Sequence, residues 1–286
     1  MGKIARYFSL VKFSHTIFAM PFAFIGYVYA LVSTSTPFDW LLLVEILFCM
    51  VFARNTAMGF NRWADRKIDA ENPRTAGREI PSGQISPRAA IFFVAANAIG
   101  FMIVAGFINK LTLLLSPVAL IIITGYSFTK RFTAWSHLVL GTALAIAPVG
   151  AYIAVTGTID AVPLILAGLV VTWVGGFDIL YSLQDAEHDR AHNLHSVPAR
   201  FSQAGAVWIS VILHVLSAYA AACVGYVSGA GTLYWIGASL FVGLLVVQHV
   251  MFTPAKIDRI AAVFGLMNGL SSITFAGFAV ADMLLN

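Results

Sequence analysis

The sequence predicts an all-α membrane protein with nine transmembrane helices, and three observations predict it. Composition is the first: 59% of the 286 residues are hydrophobic and 10% are charged, where a soluble domain averages roughly 45–50% apolar and about 25% charged. With 17 Lys and Arg and 13 Asp and Glu, the chain has too little charge to coat a globule of this length. The second is hydropathy, because nine apolar runs recur near 14–33, 38–61, 88–108, 111–126, 136–156, 161–184, 206–227, 232–253 and 260–284, and a spanning helix needs about 20 such residues. The third is charge placement: 16 of the 17 basic residues fall on one side of a nine-span chain. This composition excludes an ordinary soluble enzyme, a disordered chain and a nucleic-acid binder. The net charge of +4 is read against a lipid bilayer.

The elements follow in order. Lys3, Arg6 and Lys12 precede the first run, which reads as a membrane helix and not as a cleavable signal, because it is long enough to span and further runs follow. Arg54 lies near the end of the second. Arg62, Arg66, Lys67, Arg74, Arg78 and Arg88 lie between the second and third. The fourth run is short, and is expected to be tilted or broken. Lys130 and Arg131 follow it, Arg190 and Arg200 follow the sixth, and Lys256 and Arg259 follow the eighth, while Lys110 alone falls opposite. Basic residues favour the cytoplasmic side, so the N-terminus and these loops are expected in the cytoplasm and the C-terminus outside. Removing one middle span would scramble the pattern. Cys49 and Cys223 each sit in an apolar run with no CxxC or Cys/His cluster, and read as buried thiols.

Two cytoplasmic segments, 62–87 and 185–205, are long and polar. Each begins at an acidic motif. The first is Asn61, Asp65 and Asp69, spaced by four; the second is Asp178, Tyr181, Asp185 and Asp189, spaced by three, four and four. On a helix such spacings line one face. Like carboxylates four apart repel by a few tenths of a kcal/mol in water and more beside a membrane core. A lone DxxxD is most simply a solvated helix face. Two of them at helix ends on one side, with an Asn and a Tyr in phase, point to a divalent cation that removes the repulsion. Mg²⁺ takes hard oxygen ligands and commonly binds one or two carboxylates plus substrate phosphate, so two such clusters suit a diphosphate.

Basic side chains surround the motifs. Arg74 and Arg78 lie in a turn-rich loop, and Arg54 shares the face of Asn61 two turns deeper. An arginine at that depth is costly unless it is partnered or functional; an internal ion pair is the bland reading. Tyr126, Lys130 and Arg131 repeat a basic-aromatic pattern, a plain anchor or a substrate-binding run.

These residues together resemble a known family. NxxxDxxxD at 61–69, RTxxRxIPSG from Arg74 to Gly83, YxxxKR at 126–131, DxxYxxxDxxxD at 178–189 and the following His195-Ser196 are similar to the UbiA family of intramembrane prenyltransferases, across the whole chain and in motif order. The 4-hydroxybenzoate polyprenyltransferase-like branch is the nearest match, with one departure: Glu79 stands where many of those enzymes have proline. The resemblance implies one polytopic domain over 1–286 in a bacterial-type inner membrane, with nine helices around a lipid-open central cavity under a cytoplasmic loop cap. It implies a polyprenyl diphosphate donor and a small aromatic acceptor such as 4-hydroxybenzoate, in quinone biosynthesis. A naphthoate-type menaquinone precursor is the alternative acceptor, and a membrane transporter the alternative class. Asn61, Asp65 and Asp69 would then hold one Mg²⁺, and Asp185 and Asp189 a second. Asp178 and Tyr181, with Asp185, would act at the reacting carbon. Arg54, Arg74, Arg78, Tyr126, Lys130, Arg131 and Lys12 would bind substrate.

Overall fold

The computed structural model describes residues 3–11, 19–251 and 260–286, with side chains for 6–11, 19–251 and 265–286. In chain order the helices are α1 (Lys3–Leu10), α2 (Met20–Ser33), α3 (Trp40–Ala64), α4 (Arg66–Glu71), α5 (Pro87–Ile108), α6 (Lys110–Thr129), α7 (Ser136–Thr156), α8 (Ala161–Ser182), α9 (Ala186–Ala191), α10 (Val197–Arg200), α11 (Gln203–Val227), α12 (Thr232–Met251) and α13 (Ile260–Leu285). A 3₁₀ turn, Leu183–Asp185, joins α8 to α9. No strand occurs among the described residues.

Among those residues eight helices are long and apolar enough to cross a membrane, and α2 is a shorter apolar one. With α2 in the place of the first expected span, nine is the consistent count. Part of that span, 14–18, lies outside the described residues, as does Lys12. The fourth span is not broken: α6 runs unbroken over 20 residues with Pro117 inside it. Membrane helices tolerate such a proline when neighbours re-satisfy the freed backbone.

Polar caps set where the helices begin. Asp39 accepts from Leu41 N at 2.8 Å to open α3, and Ser86 accepts from Ala89 N at 3.2 Å to open α5 beside Pro87 at its first turn. Asp160 and Ser202 do the same for α8 and α11. These short oxygens satisfy N–H groups that a helix start leaves orphaned.

The chain divides into two compact units, residues 1–16 with 39–128, and residues 17–38 with 129–286. In the first, α3 packs along α5, and a small core of Leu10, Ile80, Ile85 and Ala90 seats α1 under the loop that follows α4. Arg6 donates to the Gln84 carbonyl at 3.1 Å, and the Ser9 hydroxyl donates to the Glu79 carboxylate. In the second, α8 packs on α7 and α11, α2 on α7 and α13, and α12 on α13. Its core centres on the fully buried Trp173, ringed by Phe22, Phe177 and Phe241. Backbones approach closely there: a Cβ at Gly141 would stand 2.5 Å from the Val171 carbonyl oxygen. Small residues that admit such contact are how membrane helices associate without a hydrophobic drive between them. Cys49 and Cys223 are free and half-buried.

Candidate active site

Each acidic motif lies at a junction where a long helix ends and a short one begins. In the first unit, Asp65 is both the C-cap of α3 and the residue before α4, with φ −93° and ψ 5°. The turn-to-turn ladder survives the break, since Asp65 N donates to Asn61 O at 2.9 Å and Asp69 N to Asp65 O at 2.8 Å. The expected stripe therefore persists. Asn61 Nδ2 donates to Asp65 Oδ2 at 3.0 Å and lies 3.5 Å from the Ser127 hydroxyl.

Asp69 is 6% exposed. Its Oδ1 takes Arg78 at 2.6 Å, and its Oδ2 has no hydrogen-bond partner among the described residues. The loop is shaped to deliver Arg78. Thr75 donates its hydroxyl to the Asp69 carbonyl at 2.9 Å, Asn72 Oδ1 accepts from Arg74 N at 2.9 Å, and Arg78 N closes a turn on Thr75 O at 3.0 Å. Arg74 itself points to the exposed side of this loop. Arg54 keeps a buried Nε without a partner and lies within electrostatic reach of Tyr126. Arg62 was not singled out among the basic residues. It is buried, with an orphaned Nε, within electrostatic reach of Asp69, Arg78, Glu79 and Tyr126. Its signal was there: it stands eight residues after Arg54 on the same helix, about two turns on.

In the second unit, Asp185 ends the 3₁₀ turn and precedes α9, with φ −103° and ψ 1°. Both junction aspartates thus occupy the sparsely populated bridge region, where many active-site residues sit. Asp189 is 2% exposed. Lys130 Nζ stands 3.5 Å from Asp189 Oδ2, a long charge contact, and that oxygen accepts no hydrogen bond among the described residues. Tyr181 is half-buried and packs against the core of this unit. Asp178 takes His137 Nδ1 at 2.7 Å. Arg131 is exposed. The segment after α9 is clipped back: His195 N donates to the Lys130 carbonyl at 2.6 Å, and Arg190 donates to the carbonyls of Pro198 and Ala199 at 2.7 and 3.2 Å.

The structure thus brings Asn61, Asp65, Asp69 and Arg78 together in one unit, and Lys130 and Asp189 in the other. Buried His137 behind Asp178 was not legible from the motif.

These features define a class, an all-helical integral membrane protein that carries acidic helix-end motifs framed by basic residues. The chain belongs to the UbiA prenyltransferase family, whose model matches residues 19–272. It is 30% identical over 249 residues to the 4-hydroxybenzoate octaprenyltransferase of Saccharophagus degradans, covering 87% of this chain and 83% of that one. It is also 30% identical to the enzyme of the same name from Tolumonas auensis, covering 88% and 87%. Among solved structures, a UbiA homolog from Aeropyrum pernix K1 superposes with a TM-score of 0.84 at 31% identity, over 94% of this chain and 98% of that one. A UbiA homolog from Archaeoglobus fulgidus, bound to GPP and Mg²⁺, shares the fold with a TM-score of 0.66 at 19% identity, over 94% and 99%.

Proposed function

We propose that this prenyltransferase moves a polyprenyl group from polyprenyl diphosphate to an aromatic acceptor, 4-hydroxybenzoate, in an Mg²⁺-dependent step of respiratory quinone biosynthesis, and that residues 1–286 act as one catalytic domain. The observation that carries the reading is a pair of buried carboxylate oxygens, Asp69 Oδ2 and Asp189 Oδ2, that accept no hydrogen bond among the described residues. Leaving a buried polar atom unmade is costly, and each of these sits in a DxxxD motif. No group of three or more His, Cys, Asp or Glu could hold a metal among the described residues. Mg²⁺ commonly binds one or two carboxylates and completes its shell from water and substrate phosphate. Asn61, Asp65 and Asp69 would hold one ion, and Asp185 and Asp189 a second. The acceptor rests on the names of the relatives from Saccharophagus degradans and Tolumonas auensis.

When bound, the ions offset the charge that builds on the departing diphosphate. Arg54, Arg62 and Arg78, with Arg74 and Tyr126, would supply phosphate donors from the first unit, and Lys130 and Arg131 from the second. The allylic C–O bond breaks, its electron pair leaves with the diphosphate, and a ring carbon of the acceptor attacks the allylic cation. The ring then releases the proton from that carbon. Asp178 and Tyr181, nearer the membrane than the metal carboxylates, stabilise the cation or take that proton. A dry lipid-side environment keeps water from quenching the cation.

The test is the purified chain with polyprenyl diphosphate and either 4-hydroxybenzoate or a hydroxynaphthoate, with Mg²⁺ or with EDTA. Diphosphate release and prenylated product are expected with 4-hydroxybenzoate and Mg²⁺ only. Product from the naphthoate alone would move the acceptor to the menaquinone class. Turnover in EDTA would remove the metal from the mechanism.

A further inference from the structure

His137 lies in the first turn of α7 and is fully buried. Its two ring nitrogens have different partners. Nδ1 is 2.7 Å from Asp178 Oδ2, and Nε2 is 3.3 Å from the backbone N of Val197. A backbone N–H can only donate, so Nε2 is the accepting nitrogen and carries no proton. The ring proton is therefore on Nδ1, and it is donated to Asp178. The Asp178 side chain is 22% exposed, so it is the reachable end of a chain whose rear members, His137 and the Val197 amide, are buried. Val197 opens α10 immediately after Ser196, whose hydroxyl caps the same helix through Ala199 N at 3.3 Å.

We infer that His137 is a positioning residue for the prenyl transfer: it holds the Asp178 carboxylate in one orientation, and its own tautomer is fixed by the Val197 amide. The inference rests on the reading that Asp178 meets the reacting carbon or the acceptor. A carboxylate on a flexible helix end samples several rotamers. A buried imidazole bonded on both faces leaves it one, with an oxygen committed to the ring and the other available to substrate. Orienting groups of this kind act on the chemical step and leave the affinity for either substrate nearly unchanged.

The experiment uses the full chain in detergent or nanodiscs, with polyprenyl diphosphate and 4-hydroxybenzoate. His137→Leu should lower kcat about 10- to 100-fold, the range of one lost charge-assisted bond, with both KM values within about twofold of wild type. His137→Asn, whose amide nitrogen can stand where Nδ1 does, should recover most of that loss. His137→Leu added to Asp178→Asn should cost little beyond Asp178→Asn alone, because the two act as a unit. An equal loss in the Leu and Asn variants, a rise in KM with kcat intact, or additive losses in the double variant would each overturn the inference. Asp178→Asn with wild-type kcat would instead remove the reading on which it rests. Should the Leu variant fail to fold, nitrogen-15 histidine NMR on the wild-type protein still decides. The resonance that disappears in His137→Asn should be the Nδ1–H tautomer, and an Nε2–H tautomer or an imidazolium there overturns the assignment.

Discussion

Asp69 and Asp189 hold equivalent positions in two otherwise different units. Each stands four residues after an aspartate that closes one helix and opens the next, each is almost wholly buried, and each leaves its Oδ2 without a hydrogen bond among the described residues. Their counter-charges differ. Asp69 grips a guanidinium at 2.6 Å, supplied from nine residues away. Asp189 faces an ammonium at 3.5 Å, supplied from 59 positions earlier in the chain. A short charge-assisted bond both neutralises and orients a carboxylate. A long contact from a side chain that is 37% exposed does little of either. The first motif is therefore set by its own loop, while the second, under the proposed function, would lean more on the bound cation.

That contrast can be broken by removing each carboxylate. Asp69→Ala and Asp189→Ala should each cost at least about 100-fold in kcat/KM, the usual scale for losing one electrostatic element that acts on the leaving charge. The readout is Mg²⁺-dependent diphosphate release. A variant with near-normal turnover takes its motif out of the site.

Arg78→Ala is expected next in size. It strips Asp69 of its partner, a charge-assisted contact worth about 1.5–3 kcal/mol, or roughly 10- to 150-fold. Arg78→Lys should recover only part, since Lys lacks the planar fork. Full recovery in steady-state kinetics would mean that point charge alone matters there.

Stability sharpens the contrast further. In EDTA, Asp189→Asn should raise the melting temperature, because it removes a buried charge with weak compensation. Asp69→Asn should lower it, because it strips Arg78 of its carboxylate. Shifts of about 1–3 kcal/mol in opposite directions are expected. Mg²⁺ should raise the melting temperature of the wild-type protein, and by less in Asp189→Asn, which keeps only the first motif intact. Shifts of the same sign in a thermal-unfolding series would show that the two partners are equivalent in energy.

The smallest effect is on activity and the most direct on geometry. Reporters inserted near Gly83 and near Gln203 should both be cytoplasmic, and one fused after Asn286 extracytoplasmic, with turnover little changed by the C-terminal fusion. Reporters after the two motifs that fall on opposite faces of the membrane would undo the comparison itself.

Periodic features were readable from the sequence. The fifth expected span, 136–156, coincides with α7, and the ninth, 260–284, with α13 to one residue. The spacing of four in the first motif survives as a hydrogen-bonded ladder through Asp65. The C-terminal end of α6 was not readable: the expected run stops at 126, and the helix goes on through Ser127 and Thr129, whose polarity ends an apolar window although both are buried. Hydroxyls inside the run hide the same way. In the helix, the Thr124 hydroxyl folds back on the Leu120 carbonyl at 2.7 Å and hides its polarity. His137 was not readable either. Its partners lie 41 and 60 positions away, and no periodicity links residues that only tertiary packing brings together. Arg62 was counted for topology alone, and burial is what marks it out.

One dimension of the molecule sets the depth at which it works. α3 has 25 residues, which makes it about 37 Å long upright, and about 35 Å at an ordinary tilt, against a hydrocarbon layer of about 30 Å. That length exceeds the layer by about a turn, and the helix has Trp40 exposed at one end and Trp63 under the Arg66 guanidinium at the other. Tryptophan favours such interfaces. A helix of that length acts as a ruler, and under the proposed function its last turn would meet the diphosphate of an isoprenoid donor at the level of the lipid phosphates. A donor met at that level need not be lifted from the bilayer, and each methylene left in the hydrocarbon spares about 0.8 kcal/mol of extraction.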